Sequence, residues 1–211
     1  MNKSIIQPKT KGQEEYINIL NKNKIIFCEG PAGSGKTFIP SILGIKALLD
    51  KKYEKVIISR PLVFSDTDFG FLPGTLEEKM EPIMRPIVDS FTDGYGKGTI
   101  EKLLKDKSIE IAPLGYLRGR TFNNCFIIFD EMQNADYAQL LLAITRFGKG
   151  SKMILTGDSS QSDLRSDQKA FLKMIDSIDG IDEIGIMRLT TMDIVREPIV
   201  KKILERVQKG V

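Results

Sequence analysis

Two groups of residues have the types and spacing that chemistry needs. The first is Gly30-Pro31-Ala32-Gly33-Ser34-Gly35-Lys36-Thr37, a complete G-x-x-x-x-G-K-[ST] run. Glycines at this spacing let a backbone curl closely around phosphate oxygens. Lys36 can then reach β- and γ-phosphates, and the Thr37 hydroxyl can ligate Mg2+. The second group is Asp130-Glu131, adjacent carboxylates directly after the apolar run Cys125-Phe126-Ile127-Ile128-Phe129. Asp130 is expected to hold Mg2+ through its water shell, and Glu131 to polarise an attacking water. A second acid beside the first favours hydrolysis by a positioned water over transfer to a bound acceptor. Both groups point to a nucleoside-triphosphate site.

Such groups need elements to hold them. Ile25-Ile26-Phe27-Cys28 reads as a buried strand, and Phe38, Ile39, Ile42, Leu43, Ile45, Leu48 and Leu49 recur at helical spacing. A strand feeding a glycine-rich turn that opens a helix aims backbone N–H groups, and the positive end of the helix dipole, at one spot. Downstream, strand-like runs at 55–59, 109–112, 125–129, 152–156 and 184–189 alternate with helical patterns at 77–91, 100–104, 136–147 and 170–178. This alternation predicts an α/β domain with a mostly parallel central sheet flanked by helices on both faces. Pro82 and Pro86 are expected to bend or break the helix over 77–91, and 92–98 reads as a flexible surface loop. A capped helix over 10–20 precedes the first strand. Residues 1–9 read as a loose arm, and a last amphipathic helix carries Ile199, Val200, Ile203, Leu204 and Val207. No repeat, low-complexity tract or linker interrupts the chain, so one domain over 1–211 is expected.

Ligands of open α/β sheets collect beyond the carboxyl ends of the strands, which directs attention to the polar residues there. Arg60 follows the strand at 55–59, and Arg118 and Arg120 follow the one at 109–112. All three are candidate contacts for phosphate, of a nucleotide or a nucleic-acid backbone, and Arg118 and Arg120 could equally form a solvated basic turn. After the strand at 152–156, Gln161 is the choice for a sensor of the γ-phosphate, with Asp158 orienting its loop; a plain turn rich in Asp and Ser is the alternative. Gln13 offers the paired donor and acceptor that match the N6 and N7 edge of adenine, or is a glutamine exposed in a first helical turn. The triplet Asp68-Phe69-Gly70 suggests a protein kinase, but no His-Arg-Asp loop accompanies it and the phosphate cradle is of another type.

Composition narrows the classes further. With 41% hydrophobic and 28% charged residues over 211 positions, the chain reads as a soluble globular protein, and no apolar run suits a membrane span or a secretory leader. The absence of histidine excludes His-based triads and HExxH zinc sites. Cys28 and Cys125 lie in apolar strand-like runs and read as small core residues, not a disulfide, so a cytoplasmic location is the expectation. Net charge is +3 and the pI is near 8.7, short of what marks a nucleic-acid binder by charge alone.

The phosphate loop, Asp130-Glu131, Gly157-Asp158 with Gln161, and Gln13 together resemble the first ATPase domain of superfamily 1 helicases. Ser59-Arg60-Pro61, Gly70-Phe71-Leu72-Pro73-Gly74, Tyr116-Leu117-Arg118-Gly119-Arg120-Thr121, Asp130-Glu131-Met132-Gln133-Asn134 and Asp193-Ile194-Val195-Arg196 resemble, in order, the signatures of the PhoH-like ATPases. The similarity runs from about Gln13 to the end of the chain. Two positions depart from it: Met132 stands where a small residue is usual, and Glu197 where a histidine is common. The resemblance implies a RecA-like core, ATP hydrolysis with Mg2+, and a role on RNA or single-stranded DNA. Superfamily 1 helicases complete their site with an arginine from a second RecA-like domain, for which this chain has no room. An arginine finger is worth about 10³–10⁵ in rate. A ring-like, head-to-tail homo-oligomer, a hexamer in first place, with Arg196 as the finger supplied in trans is therefore the expectation, with Arg60, Arg118 and Arg120 as rivals. A small P-loop kinase and a nucleotide-gated binding module with little turnover are the alternative functions.

Overall fold

The computed structural model describes residues 6–61, 76–158 and 170–196, together with 199 and 206; between 76 and 84 it describes the backbone alone. Runs rich in Ile, Val and Phe form six strands among these residues: β1 (Ile25–Glu29), β2 (Lys55–Arg60), β3 (Ile109–Pro113), β4 (Cys125–Phe129), β5 (Lys152–Gly157) and β6 (Ile184–Arg188). They make one sheet in the order β3-β2-β4-β5-β1-β6, and every neighbouring pair is parallel. Parallel neighbours need crossover connections. Helices α1 (Lys11–Lys22), α2 (Phe38–Leu49), α3 (Leu76–Tyr95), α4 (Lys97–Lys105), α5 (Tyr137–Ile144) and α6 (Ala170–Ile178) lie between and before the strands.

Because strand side chains alternate between faces, the sheet feeds two cores. Ile26, Cys28, Val56, Ile58, Phe126, Ile128 and Ile154 pack under α1 to α4 with Tyr16, Ile45 and Phe91. Phe27, Ile57, Ile127, Phe129, Met153 and Leu155 pack on the other face with Leu140 and Ala143 of α5 and Phe171 and Ile175 of α6. β4, central and buried at every position, is the strand that delivers the acids. The α/β fold with helices on both faces is as the pattern predicts. It is RecA-like, and the sheet is parallel throughout its described strands. Both cysteines are buried and unpaired.

Three expectations on local structure change. Helix α3 runs unbroken through Pro82 and Pro86 to Tyr95, and α4 starts at Lys97, so only Gly96 of the expected loop lies outside a helix. Gly94 serves close packing there: a Cβ on it would lie 2.6 Å from Ile42 Cδ1 of α2. The Tyr95 hydroxyl donates to the Ile42 carbonyl at 3.0 Å, and Gly96, with φ of +80°, ends the helix. Leu141, within the helical pattern read at 136–147, is 43% exposed, because α5 is only eight residues long and meets the sheet through Leu140 and Ala143.

Candidate active site

The phosphate loop leaves β1 and turns through Gly33 and Gly35, whose φ values of +84° and +93° suit glycine alone. The Ser34 hydroxyl donates to the Pro31 carbonyl at 2.7 Å and tightens the curl. Lys36 is only 7% exposed, yet its ammonium makes no hydrogen bond or ion pair among the described residues. A lysine so enclosed and without a protein anion is the partner that an incoming anion needs. Beneath the loop, α1 presents two side chains one turn apart. The Tyr16 hydroxyl donates to the Lys36 carbonyl at 3.0 Å, and the Gln13 amide nitrogen to the Ser34 carbonyl at 3.0 Å.

Sheet register brings the second anchor to the first. Ser59 of β2 lies level with Phe129 of β4, and Phe129 with Leu155 of β5. The next residues, Arg60, Asp130 and Thr156, therefore meet at one edge. Asp130 is fully buried. Its Oδ1 accepts from the Thr37 hydroxyl at 2.7 Å and the Thr156 hydroxyl at 2.6 Å; its Oδ2 accepts from Arg60 Nε at 2.9 Å and from Arg60 Nη2. The donor set offered here, two hydroxyls and a carboxylate, is all oxygen. Among the described residues no cluster of three or more His, Cys, Asp or Glu side chains exists that would suit a softer or fully caged ion. That set fits Mg2+, which is commonly held by one or two protein oxygens with phosphates and waters.

Glu131 follows with φ of +57° and ψ of +35°, a left-handed conformation unusual for a residue with a Cβ. Its carboxylate accepts from Gln133 Nε2 at 2.5 Å, and Gln133 Oε1 accepts the Asp158 N–H at 2.9 Å. Buried Gln133 thus ties the acid after β4 to the turn after β5. Gly157 keeps that passage open, since a Cβ there would lie 2.7 Å from the Phe171 ring. Met132 is fully buried in the core that also holds Leu140.

A second bracket closes the other side. Asp193 accepts from the Thr10 hydroxyl at 2.6 Å and from the Thr190 N–H at 2.9 Å. Burial pushes its carboxyl up, but the hydrogen bonds from Thr10, Thr190 and the Gly12 N–H outweigh this and hold it below the usual carboxylate range. The segment so anchored donates the Val195 N–H to the Gly33 carbonyl at 3.0 Å. Arg196 then lies against the loop of its own chain, 2.6 Å at Nε from where a Gly33 Cβ would be.

The residues singled out by sequence fall into three sets. Thr37 and Asp130 meet beside Lys36, Arg196 lies against Gly33, and Arg60 joins them through Asp130, while Glu131 follows Asp130 and is held by Gln133. Gln13 reaches the loop too, but its amide is engaged by backbone: Oε1 accepts the Lys9 N–H at 2.9 Å while Nε2 holds Ser34. Arg118 and Arg120 lie apart, and they differ. Arg120 is paired with Glu110 through both carboxylate oxygens and covers the Phe122 ring at 4.7 Å. Arg118 is exposed, with no hydrogen bond or ion pair among the described residues. Gln161, the Phe-Leu-Pro-Gly block, Asp68-Phe69-Gly70 and Glu197 lie outside the described residues. Sequence reasoning gave no role to Thr156, Gln133, Tyr16 or Asp193. A polar residue ending an apolar strand was the available signal for Thr156, and the i, i+3 spacing from Gln13 the one for Tyr16.

A family model described as PhoH-like protein matches residues 5–208. A PhoH-like protein of Bacillus subtilis is 43% identical over 205 residues, which cover 97% of this chain and 64% of the relative. The chain spans just under two thirds of the length of the first curated relatives it matches. In fold it is similar to the large terminase of a thermophilic bacteriophage, with a TM-score of 0.61 at 14% identity over 95% of this chain and 50% of that one. It is also similar to the UvsW helicase of bacteriophage T4, with a TM-score of 0.50 at 15% identity over 88% and 60%.

Proposed function

The chain belongs to the PhoH-like protein family of P-loop nucleotide-binding proteins, and on that premise we propose that it hydrolyses ATP with Mg2+ and acts on RNA or single-stranded nucleic acid. One observation carries the reading: Thr37 of the phosphate loop and Asp130 of the central strand meet at 2.7 Å, beside a buried lysine that has no protein anion among the described residues.

In this reading the loop amides and Lys36 bind the triphosphate tail, while Thr37 and Asp130 hold the metal. When bound, Mg2+ neutralises charge developing on the transferred phosphoryl group. Glu131 takes a proton from water as the water oxygen bonds to the γ-phosphorus. The bond to the β–γ bridging oxygen breaks, and ADP and phosphate leave. Gln133 keeps the Glu131 carboxylate aimed. Arg118, exposed on the basic turn, supplies a contact for a nucleic-acid backbone, whereas Arg120 is committed to Glu110 and Phe122.

The lie of Arg196 against its own Gly33 favours an arginine acting within the chain over one lent by a neighbour in a ring. Phosphate release from ATP tests both parts. It should require Mg2+, rise with single-stranded RNA or DNA, and vanish in Lys36→Ala. A need for a small acceptor would indicate a kinase, and release near zero a binding module. Mixing Arg196→Ala with Lys36→Ala chains should recover nothing if the arginine acts within the chain; recovery would restore the ring.

A further inference from the structure

Asp130 has its full complement of partners before any metal is counted. A carboxylate offers about four lone-pair positions, and this one meets four donors: the Thr37 and Thr156 hydroxyls on Oδ1, and two guanidinium N–H groups of Arg60 on Oδ2. The carboxylate is fully buried, and the Arg60 side chain keeps only 15% of its exposure. Water cannot take the place of a missing partner cheaply at such a depth.

A metal-bound water is a donor, so it needs a lone pair that is already occupied. The two hydroxyls have no reason to yield. Thr37 can present its oxygen to a metal while still donating its proton to Asp130, and Thr156 is neutral. Arg60 differs on both counts. It brings a full positive charge to the carboxylate that a dication must approach, and its bonds to Oδ2 are the charge-assisted ones.

We propose that Arg60 is the resident counter-ion of Asp130 and competes with Mg2+ for it, so that this arginine sets how much Mg2+ the protein needs to bind a nucleotide. Its place in the fold suits exchange. Arg60 is the last residue of β2, at the carboxyl edge where the phosphate loop also ends, so a displaced guanidinium remains beside incoming phosphate charge. The inference rests on the nucleotide-binding reading above, and it concerns binding, not turnover.

The test is titration of a fluorescent ADP analogue onto the full chain, with Mg2+ varied and with EDTA, for the wild type, Arg60→Gln and Arg60→Lys. Arg60→Gln should lower the half-saturating Mg2+ roughly tenfold, the low end of what one charge-assisted hydrogen bond is worth. In EDTA the same variant should bind no tighter than wild type, because a positive charge near the phosphates has been removed. Arg60→Lys keeps the charge without the fork and should fall between the two, which preserves the test should Arg60→Gln fold poorly. A purely structural role would weaken binding equally with and without metal. An unchanged or higher Mg2+ requirement in Arg60→Gln, or in Arg60→Lys where only that variant folds, overturns the competition. Nucleotide binding by wild type that ignores Mg2+ would overturn the active-site reading along with it.

Discussion

Glu131 holds a left-handed backbone conformation that costs a residue with a Cβ about 1–3 kcal/mol. What repays that strain is direction: the turn re-aims the chain directly after Asp130, and Gln133 fixes the carboxylate that results. Gln133→Ala should therefore cut the turnover rate by up to roughly a hundredfold, the penalty for an approximately 1 Å misplacement of a reacting group. The KM for ATP should stay near wild type, because Lys36 and Thr37 are untouched; steady-state kinetics separate the two. At this scale the phosphate loop and the acid pair were legible because each is a contiguous run whose chemistry is local. Gln133 was visible in the same run as Asp130, but its role depends on the Asp158 N–H, twenty-five positions away along the chain, and no local pattern shows that. Arg60 was legible as a residue placed where ligands collect. That it grips Asp130 required the register of β2 against β4.

Helix α1 and the segment after β6 act as two arms around the phosphate loop, and Asp193 joins them. Asp193→Asn should cost about 1.5–3 kcal/mol of stability at neutral pH, the range of hydrogen bonds to a charged group. The folded-state pKa of Asp193 is depressed, so its contribution is fully present above the unfolded value of about 3.9 and fades as pH falls through the lower folded value. Denaturant unfolding of the two proteins should thus converge in strong acid; a gap that stays constant with pH would remove the charge from the explanation. Within the described residues the strands and helices read from hydrophobic spacing were found, but α3 runs past its expected end, α4 starts at Lys97, and α5 stops at Ile144 and leaves Leu141 exposed. Ile199 of the expected last helix is 63% exposed, and most of that helix lies outside the described residues. Gly94 was read as a loop marker, but it is the residue that lets α3 approach Ile42. Composition cannot separate a glycine that breaks a helix from one that lets two helices touch. The Cys28 thiol shows the same limit from the other side. Its strand was plain in the sequence, whereas burial that pushes it up to about 12 follows only from α1 closing over it.

Across the whole molecule, the order β3-β2-β4-β5-β1-β6 places the acid strand and the phosphate-loop strand on either side of β5. A crossed order of this kind sets Thr37, Asp130, Thr156 and Arg60 on one edge though they are scattered along the chain, and it leaves the basic turn after β3 at the sheet's end. Among the described residues no helix is long and apolar enough to cross a membrane. The α/β class followed from alternation alone, whereas strand order had no signature in the sequence. The central claim is that this edge is a hydrolytic site in which Glu131 activates water. It is tested most directly by comparing ATP binding and phosphate release in wild type and Glu131→Gln at saturating Mg2+. Binding within about threefold of wild type with release lowered roughly 10²–10⁴-fold, the usual contribution of a general base, is the predicted result. Release by Glu131→Gln at the wild-type rate would contradict the account.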